Sequence, residues 1–425
     1  MASNWPLPLE APADADLGRC VHCGLCLTSC PTYLVTGLEV ESPRGRIHMA
    51  KLVNEGRSEL TQTIQQHWDL CLQCRACEAV CPSGVPYGRI QEHARAQVQK
   101  APPSGGFGRR MRRFALRNVV ARQRVLGALM APARWYAGSK LRKVVRLTRL
   151  LRLSSRVRAA ERSLPRKIGA PFRAGATLAE EDGRPRVAML TGCVMGELFG
   201  DVHRATERVL NRAGYAVDAP NAQGCCGALH AHDGDLEFAR KLARKNIDAF
   251  AGAETIVVNS AGCGAAMKEY GDLLSRDDRY AGRAAAFSSR VRDLSEFLAG
   301  VERPSGRAKA RVSYQDACHL VHAQRIREQP RQLLAEIAGC ELVETPGADV
   351  CCGAAGLYSL VQPGMSAELR RMKADQFAAA KPDVVVTGNP GCQLQYTAAV
   401  EEAGISARVM HLAEFLNEAQ ANAER

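Results

Sequence analysis

The chain has 425 residues, of which 46% are hydrophobic, 24% charged and only 5% aromatic, a globular composition with room for two to four domains. Its 17 cysteines are odd in number, and the opening MASNWPLPLEAPADADLGRC lacks the basic start and apolar core of a secretory signal, so metal-ligating thiolates in a reducing cytoplasm are expected rather than a disulfide framework. The net charge of +13 is local: residues 109–173 hold twenty Lys or Arg and one acid, Glu161, and the rest of the chain is net acidic, which argues against a nucleic-acid-binding core and for a single attachment surface.

Residues 1–100 carry Cys20-x2-Cys23-x2-Cys26-x3-Cys30-Pro31 and again Cys71-x2-Cys74-x2-Cys77-x3-Cys81-Pro82. Three thiolates at two-residue gaps can wrap one face of an iron–sulfur cube, and a fourth, stopped by proline, points away to a neighbouring cube. By that crossed pattern one [4Fe–4S] cluster takes Cys20, Cys23, Cys26 and Cys81, and the second takes Cys71, Cys74, Cys77 and Cys30. Zinc also uses C-x2-C pairs, but it wants two pairs per site rather than a trio plus a distant fourth. Between the runs, Ser42-Pro43-Arg44-Gly45-Arg46-Ile47 reads either as arginines that hydrogen-bond cluster sulfurs or as a helix start with solvated arginines. His22 lies inside a ligand loop without being needed as a ligand; His48 and His67 have no ligand spacing.

Residues 101–180 contain no cysteine. They open with the breaker APPSGG and continue as a basic helical connector. On a helical wheel of residues 141–158, Val144, Leu147, Leu150, Leu151 and Val157 share one side, and Arg142, Arg146, Arg149, Arg152 and Arg156 the other. Lys143, Arg158 and Val145 break the separation. Such a helix suits an anionic membrane surface or an acidic partner; the alternative is a solvated connector. No run approaches 18 apolar residues, so a membrane-spanning helix is not expected, and peripheral attachment at the inner face of the cell membrane is the membrane reading that remains.

Residues 186–300 and 310–425 read as two copies of one unit. Cys193, Cys225, Cys226 and Cys263 recur as Cys318, Cys351, Cys352 and Cys392, at offsets of 125, 126, 126 and 129 residues; Cys340 falls outside the repeat. Each copy predicts a strand (Val187–Thr191; Val312–Tyr314), a helix (Asp201–Ala213; Gln329–Ala338), the double cysteine, a second helix (Leu236–Phe250; Ala367–Ala380) and a second strand (Thr255–Asn259; Asp383–Thr387), with a helix following Cys263 and Cys392. This is an α/β pattern with mainly parallel strands and with cysteines at strand C-termini, the edge where such sheets bind ligands. The eight cysteines can hold one iron–sulfur centre per copy or a shared redox site; the alternative is tight glycine-flanked packing with structural thiols. His230, His232 and His319 are extra ligands, proton donors or ordinary hydrogen-bonded histidines, and His411 is structural, on a C-terminal helix. No Walker loop or strand–GxGxxG–helix unit occurs, so no FAD or NAD is expected on this chain, and hydride chemistry belongs to a partner.

In order, Cys-Val-His-Cys-Gly-Leu-Cys (20–26), Cys-Pro-Thr-Tyr (30–33), Pro-Arg-Gly-Arg-Ile (43–47), Cys-Leu-Gln-Cys-Arg-Ala-Cys-Glu (71–78), Cys-Pro-Ser-Gly-Val (81–85), Gly-Cys-Cys-Gly-Ala (224–228), Ser-Ala-Gly-Cys-Gly (260–264), Lys-Glu-Tyr-Gly (268–271), Cys-Cys-Gly-Ala-Ala-Gly (351–356) and Asn-Pro-Gly-Cys-Gln (389–393) resemble the iron–sulfur subunit family of glycolate oxidase, also called glycolate dehydrogenase. The resemblance implies an α-helical ferredoxin-type domain with two [4Fe–4S] clusters followed by a duplicated α/β cysteine-rich (CCG) pair. It also implies FAD-binding partner subunits that oxidise a 2-hydroxy acid, and electron transfer through this chain towards a quinone-type acceptor. Similar chains serve lactate utilisation, glycerol-3-phosphate dehydrogenase and heterodisulfide reductase, where the alternative is redox chemistry at the CCG cysteines. The C-x-x-C ending each heterodisulfide reductase copy is missing: Ser260 and Asn389 stand three residues before Cys263 and Cys392, and Ala266 and Gln395 three after, so a five-cysteine cluster is not implied.

Overall fold

A computed structural model of the chain describes residues 3–101, 106–148, 161, 164–165, 168–177 and 183–425. The first hundred residues form short helices joined by the two cysteine loops, among them Pro31–Thr36, Pro43–Asn54, Gln62–Leu70 and Tyr87–Lys100. Proline opens the first two, where a missing N–H costs nothing, and Ser42 and Thr61 cap their helices by accepting from Gly45 N and Ile64 N. Their apolar faces meet in one core, in which Trp5 stacks on Trp68 above Ile47, Val53 and Ile90.

The C-terminal half contains two four-stranded, wholly parallel sheets. In the first, β1 (Arg186–Met189), β2 (Ala216–Asp218), β3 (Ile256–Val258) and β4 (Val291–Asp293) are ordered β2-β1-β3-β4. In the second, β5 (Arg307–Tyr314), β6 (Ala338–Leu342), β7 (Val384–Thr387) and β8 (Arg408–His411) are ordered β6-β5-β7-β8, the same arrangement repeated. Side chains alternate between two cores, as a strand covered on both faces requires. Val187 and Met189 of β1, with Val384 and Val386 of β7, enter one cluster shared by both sheets, whereas Ala188 and Val385 face separate clusters on the outer sides. The helices Gly200–Arg212 and Leu412–Ala423 pack together in that shared core.

The copies are also stitched by a buried polar bridge. His203 Nε2 donates to Thr191 O, its Nδ1 accepts from Asn259 Nδ2, and Asn259 O accepts from His411 Nε2. His411 Nδ1 in turn accepts from Ala413 N, so this histidine ends β8 and caps the last helix rather than lying within it.

Two further expectations need correction. The predicted helix Gln329–Ala338 ends at Ala335, and Ala338 instead opens β6, because Gly339 takes a left-handed φ of +82° that breaks the helix and turns the chain alongside β5. Cys263 and Cys392 do not precede helices but sit in the first turns of Ala261–Lys268 and Pro390–Glu402.

The basic connector forms the helices Gly106–Ala115, Gln123–Gly138 and Lys140–Leu147, with a π-helical turn at Leu116–Val120. Residues 149–158 of the amphipathic stretch, and the side chains of Arg146 and Leu147, lie outside the described residues. Many of its arginines are not solvated. Arg109 pairs with Asp69, Arg112 with Asp233, Arg113 and Arg117 with Asp235, Arg134 and Arg173 with Glu197, and buried Arg142 with Glu161. The connector is therefore docked by charge onto both the N-terminal domain and the first copy.

Candidate functional site

Both N-terminal cysteine runs wind in the same way. Residues two and four past the first cysteine are left-handed in each: His22 (φ 55°) and Gly24 (φ 86°), then Gln73 (φ 53°) and Arg75 (φ 64°). A left-handed non-glycine residue costs on the order of 1–3 kcal/mol, so three of them mark loops held in shape by their surroundings. Around these loops lie two cavities. One is lined by Cys20, Cys23, Cys26 and Cys81, with Cys77, Val85 and Tyr87 in its wall. The other is lined by Cys30, Cys71, Cys74 and Cys77, with Arg46 and again Tyr87. The two cavities adjoin, sharing Pro43, Cys77 and Tyr87.

Burial opposes ionisation of three of these thiols. Burial pushes the Cys26 thiol up to about 11, and holds Cys74 and Cys77 well above the usual range. A thiolate at these positions therefore needs a cation, which is what iron supplies. Donors are aimed at one buried sulfur: Gln73 N and Tyr87 Oη both point at Cys71 Sγ, at 3.4 and 3.5 Å. Arg46 is neither solvated nor on a sulfur. It is 2% exposed and binds Glu41 Oε2, Glu41 O, Thr32 Oγ1 and His67 O, making a rigid cationic wall behind Cys30 and Cys71. Arg44 pairs with Glu39 and donates to His22 O, fixing the first loop. His22 lines the first cavity as part of that loop.

In each copy of the C-terminal pair, four thiols run in a chain of contacts with the same connectivity. In the first, Cys193 and Cys225 are 3.5 Å apart, Cys225 adjoins Cys226, and Cys226 is 3.2 Å from Cys263. In the second, Cys318 contacts Cys351, Cys351 contacts Cys352, and Cys352 contacts Cys392. The end members follow β1 and β3, or β5 and β7, the neighbouring strands from which the chain departs in opposite directions. This is the topological switch point at which parallel sheets bind ligands. Among the described residues no three His, Cys, Asp or Glu side chains are gathered as ligands of one metal ion, here or at the N-terminal loops. Cys340 lies apart, on β6.

The surroundings of the two arrays were not legible as functional. Tyr270 and Tyr396, both buried, stand 126 residues apart, the offset of the vicinal cysteines. Asn246 and Lys373 occupy matching helices, Leu236–Ala249 and Pro363–Ala380, at an offset of 127. The cysteine offset of 126 reaches the tyrosines, although the nearer Cys263 and Cys392 keep 129, and neither offset aligns Asn246 with Lys373, so only the folded helices bring out that match. His230 is fully buried beside Cys225 and against Phe238. His232 and His319 are engaged elsewhere: His232 pairs with Glu92, and His319 Nε2 donates to Gln73 O at 2.8 Å.

That last bond belongs to a seam between the N-terminal domain and the second copy. Leu72, Cys74 and Ala76 share one buried cluster with Cys351, Tyr358 and Leu369, with Cys318 at its edge, and Tyr358 Oη donates to Leu70 O at 2.7 Å. The loop that lines the second cavity thus packs directly on the second thiol array. The first copy meets the same loop by polar contacts away from its thiols: Gln73 Nε2 donates to His232 O, and Arg75 pairs with Glu269.

Comparison with known proteins agrees with this layout. Residues 16–85 match the 4Fe-4S dicluster domain, residues 107–164 match the linker region of the glycolate oxidase iron–sulfur subunit, and residues 187–268 and 312–397 match the cysteine-rich domain CCG. The chain is 37% identical to the probable glycolate oxidase iron–sulfur subunit of Bacillus subtilis (strain 168), over 96% of this chain and 95% of that one. It is 36% identical to the glycolate oxidase iron–sulfur subunit of Escherichia coli (strain K12), over 91% of each. It is 28% identical to a subunit of the fumarate reductase (CoM/CoB) of Methanothermobacter marburgensis, over 96% of this chain and 74% of that one.

Proposed function

Since the chain belongs to the family of glycolate oxidase iron–sulfur subunits, we propose that it holds two [4Fe–4S] clusters and conducts electrons from FAD-binding partner subunits, which oxidise glycolate or a similar 2-hydroxy acid, towards a quinone-type acceptor. The observation that carries this reading is the distribution of eight cysteines over two adjoining cavities, Cys20, Cys23, Cys26 and Cys81 lining only the first, Cys30, Cys71 and Cys74 only the second, and Cys77 both. Cys20, Cys23, Cys26 and Cys81 would hold one cluster, and Cys30, Cys71, Cys74 and Cys77 the other. Each cluster, when bound, supplies a one-electron site. The rest is the protein's contribution: Val85, Ile47 and Tyr87 exclude water, the N–H of Gln73 and the hydroxyl of Tyr87 support Cys71, and Arg46 places positive charge behind Cys30 and Cys71.

The path has a surface end and a buried end. Cys23 is exposed, and Val21 and Leu25 in the same loop are 68% and 57% exposed, an apolar rim suited to a flavoprotein partner. Cys74 is buried against the second thiol array, which makes Cys318, Cys351, Cys352 and Cys392 the further centre on this path; Cys193, Cys225, Cys226 and Cys263 would form a second one off it. Iron and acid-labile sulfide analysis of anaerobically reconstituted protein tests the reading. About eight irons per chain are expected from the two N-terminal sites alone, and a colourless product would end the proposal.

Among the described residues no helix is long and apolar enough to cross a membrane. The connector nevertheless exposes Phe107, Met111, Phe114, Leu129 and Trp135 among the exposed basic residues Arg110, Arg122, Arg124 and Lys140. Aromatic and aliphatic side chains interleaved with cations suit an anionic lipid surface, and this is the peripheral attachment we assign to the connector. Vesicles containing anionic lipid should co-sediment the protein and neutral vesicles should not; equal recovery from both would remove the assignment.

A further inference from the structure

Lys373 is 1% exposed, and its ammonium donates to Gln315 Oε1 at 3.0 Å, Gly347 O at 2.7 Å and Ala348 O at 3.1 Å. All three acceptors are neutral, and among the described residues no carboxylate lies within ion-pair distance of it. A buried charge without a counter-ion costs several kcal/mol, so such charges are found paired or facing a bound ion. Two of these acceptors, Gly347 O and Ala348 O, lie on the loop that leads into Cys351; burial pushes the ammonium below its usual range, and Cys352, Cys351 and Cys392, with Asp349, itself paired with Arg327, act in the opposite direction. Its ammonium also stands 5.9 Å from the ring of Tyr396, which borders the same cysteines.

The first copy differs at this point. Asn246, at the matching helix position, is neutral. It accepts from Gly224 N at 2.9 Å and donates to Cys225 O and towards Tyr270 Oη. The backbone beside the first array is thus held by an amide, while beside the second it is held by a cation.

We propose that Lys373 is the resident counter-charge of an anionic, thiolate-held iron–sulfur centre at Cys318, Cys351, Cys352 and Cys392, and that it sets this centre, rather than one in the first copy, to accept electrons arriving past Cys74. Lys373 is a positioning residue: it ligates nothing and stabilises added negative charge through space. An electron gained at this site adds one negative charge, which the fixed ammonium offsets without any proton moving. Asn246 offers the first copy no such compensation. The inference rests on the second array being a cluster site, and its test separates the two failures.

The experiment uses the full chain, reconstituted anaerobically with iron and sulfide, with iron counted and reduction midpoints followed by EPR. Two variants are compared. Lys373→Gln removes the charge; Gln315→Glu keeps the lysine but gives it a carboxylate partner with little change of shape. Both should leave the iron of the N-terminal sites intact and either lose the iron held in excess of it or make reduction of the additional centre at least tenfold less favourable, about 59 mV for one electron. Lys373→Arg should keep both properties near wild type. If Lys373→Gln fails to fold, Gln315→Glu alone decides. Unchanged iron and midpoint in the folded variants would overturn the role of Lys373. Wild-type protein with no iron beyond about eight per chain would overturn the second-array centre, and this inference with it, while leaving the N-terminal clusters standing.

Discussion

The N-terminal domain and the C-terminal pair gather cysteines by opposite means. In the first, three of the thiols at each cavity come from one seven-residue loop, so sequence spacing alone does most of the gathering. In the second, the thiols of each array come from three separate segments that only the order of parallel strands brings together. A site made by a loop tolerates a change of scaffold, whereas a site made by topology depends on the whole sheet and on the bridge that joins the sheets.

The sharpest way to break this contrast is to remove one thiol on each side. Cys74→Ser should cost an entire cluster, about four irons per chain, while Cys340→Ser, outside every site, should cost none; iron analysis distinguishes them. Next in size is Arg46→Ala, which leaves buried Glu41 with His67 Nδ1 as its remaining side-chain partner and should destabilise the N-terminal domain by about 3 kcal/mol in denaturant melts. An unchanged midpoint would mean that the domain does not depend on its scaffold.

The pair should be the acid-sensitive half. Burial lowers both His203 and His411 to about 4, from an ordinary value near 6.5. Their neutral forms contribute stability that is complete above pH 6.5. As pH falls towards 4 the unfolded chain takes up protons that the folded chain does not, and stability is lost at up to about 1.4 kcal/mol per pH unit for each histidine. Denaturant melts at pH 7.5 and 5.5 should show this loss, and a His411→Asn variant should show less of it. The smallest effect belongs to the seam: Tyr358→Phe removes one hydrogen bond, to Leu70 O, and should cost about 0.5–1.5 kcal/mol, measured as a shift in the unfolding midpoint.

How much of this was visible beforehand follows the same division. The cysteine loops and the central strands β1, β3, β5 and β7 were legible because apolar runs such as Ile256–Val258 are buried on both faces. The edge strands were not: β6 reads AGCEL and is half-exposed, and β4 reads VRD, three residues that follow a helix directly. The ion pairs of the connector's arginines were not legible because their acidic partners are remote in sequence. Arg117 and Asp235 are 118 positions apart, and Arg134 and Glu197 are 63 apart, beyond any local charge count. Lys373 sits in ELRRMKADQ, where nothing distinguishes it from a surface lysine until the helix is folded against Gln315.

The seam formed by Leu72, Cys74 and Ala76 against Cys351, Tyr358 and Leu369 carries a kinetic consequence. A free ferredoxin must diffuse to its acceptor, and its turnover slows with viscosity and shifts with ionic strength. On the path proposed above the donor and acceptor sides are already interlocked, so passage between them should respond to neither, and only the proposed encounter with outside proteins at the exposed Cys23 rim should feel the solvent.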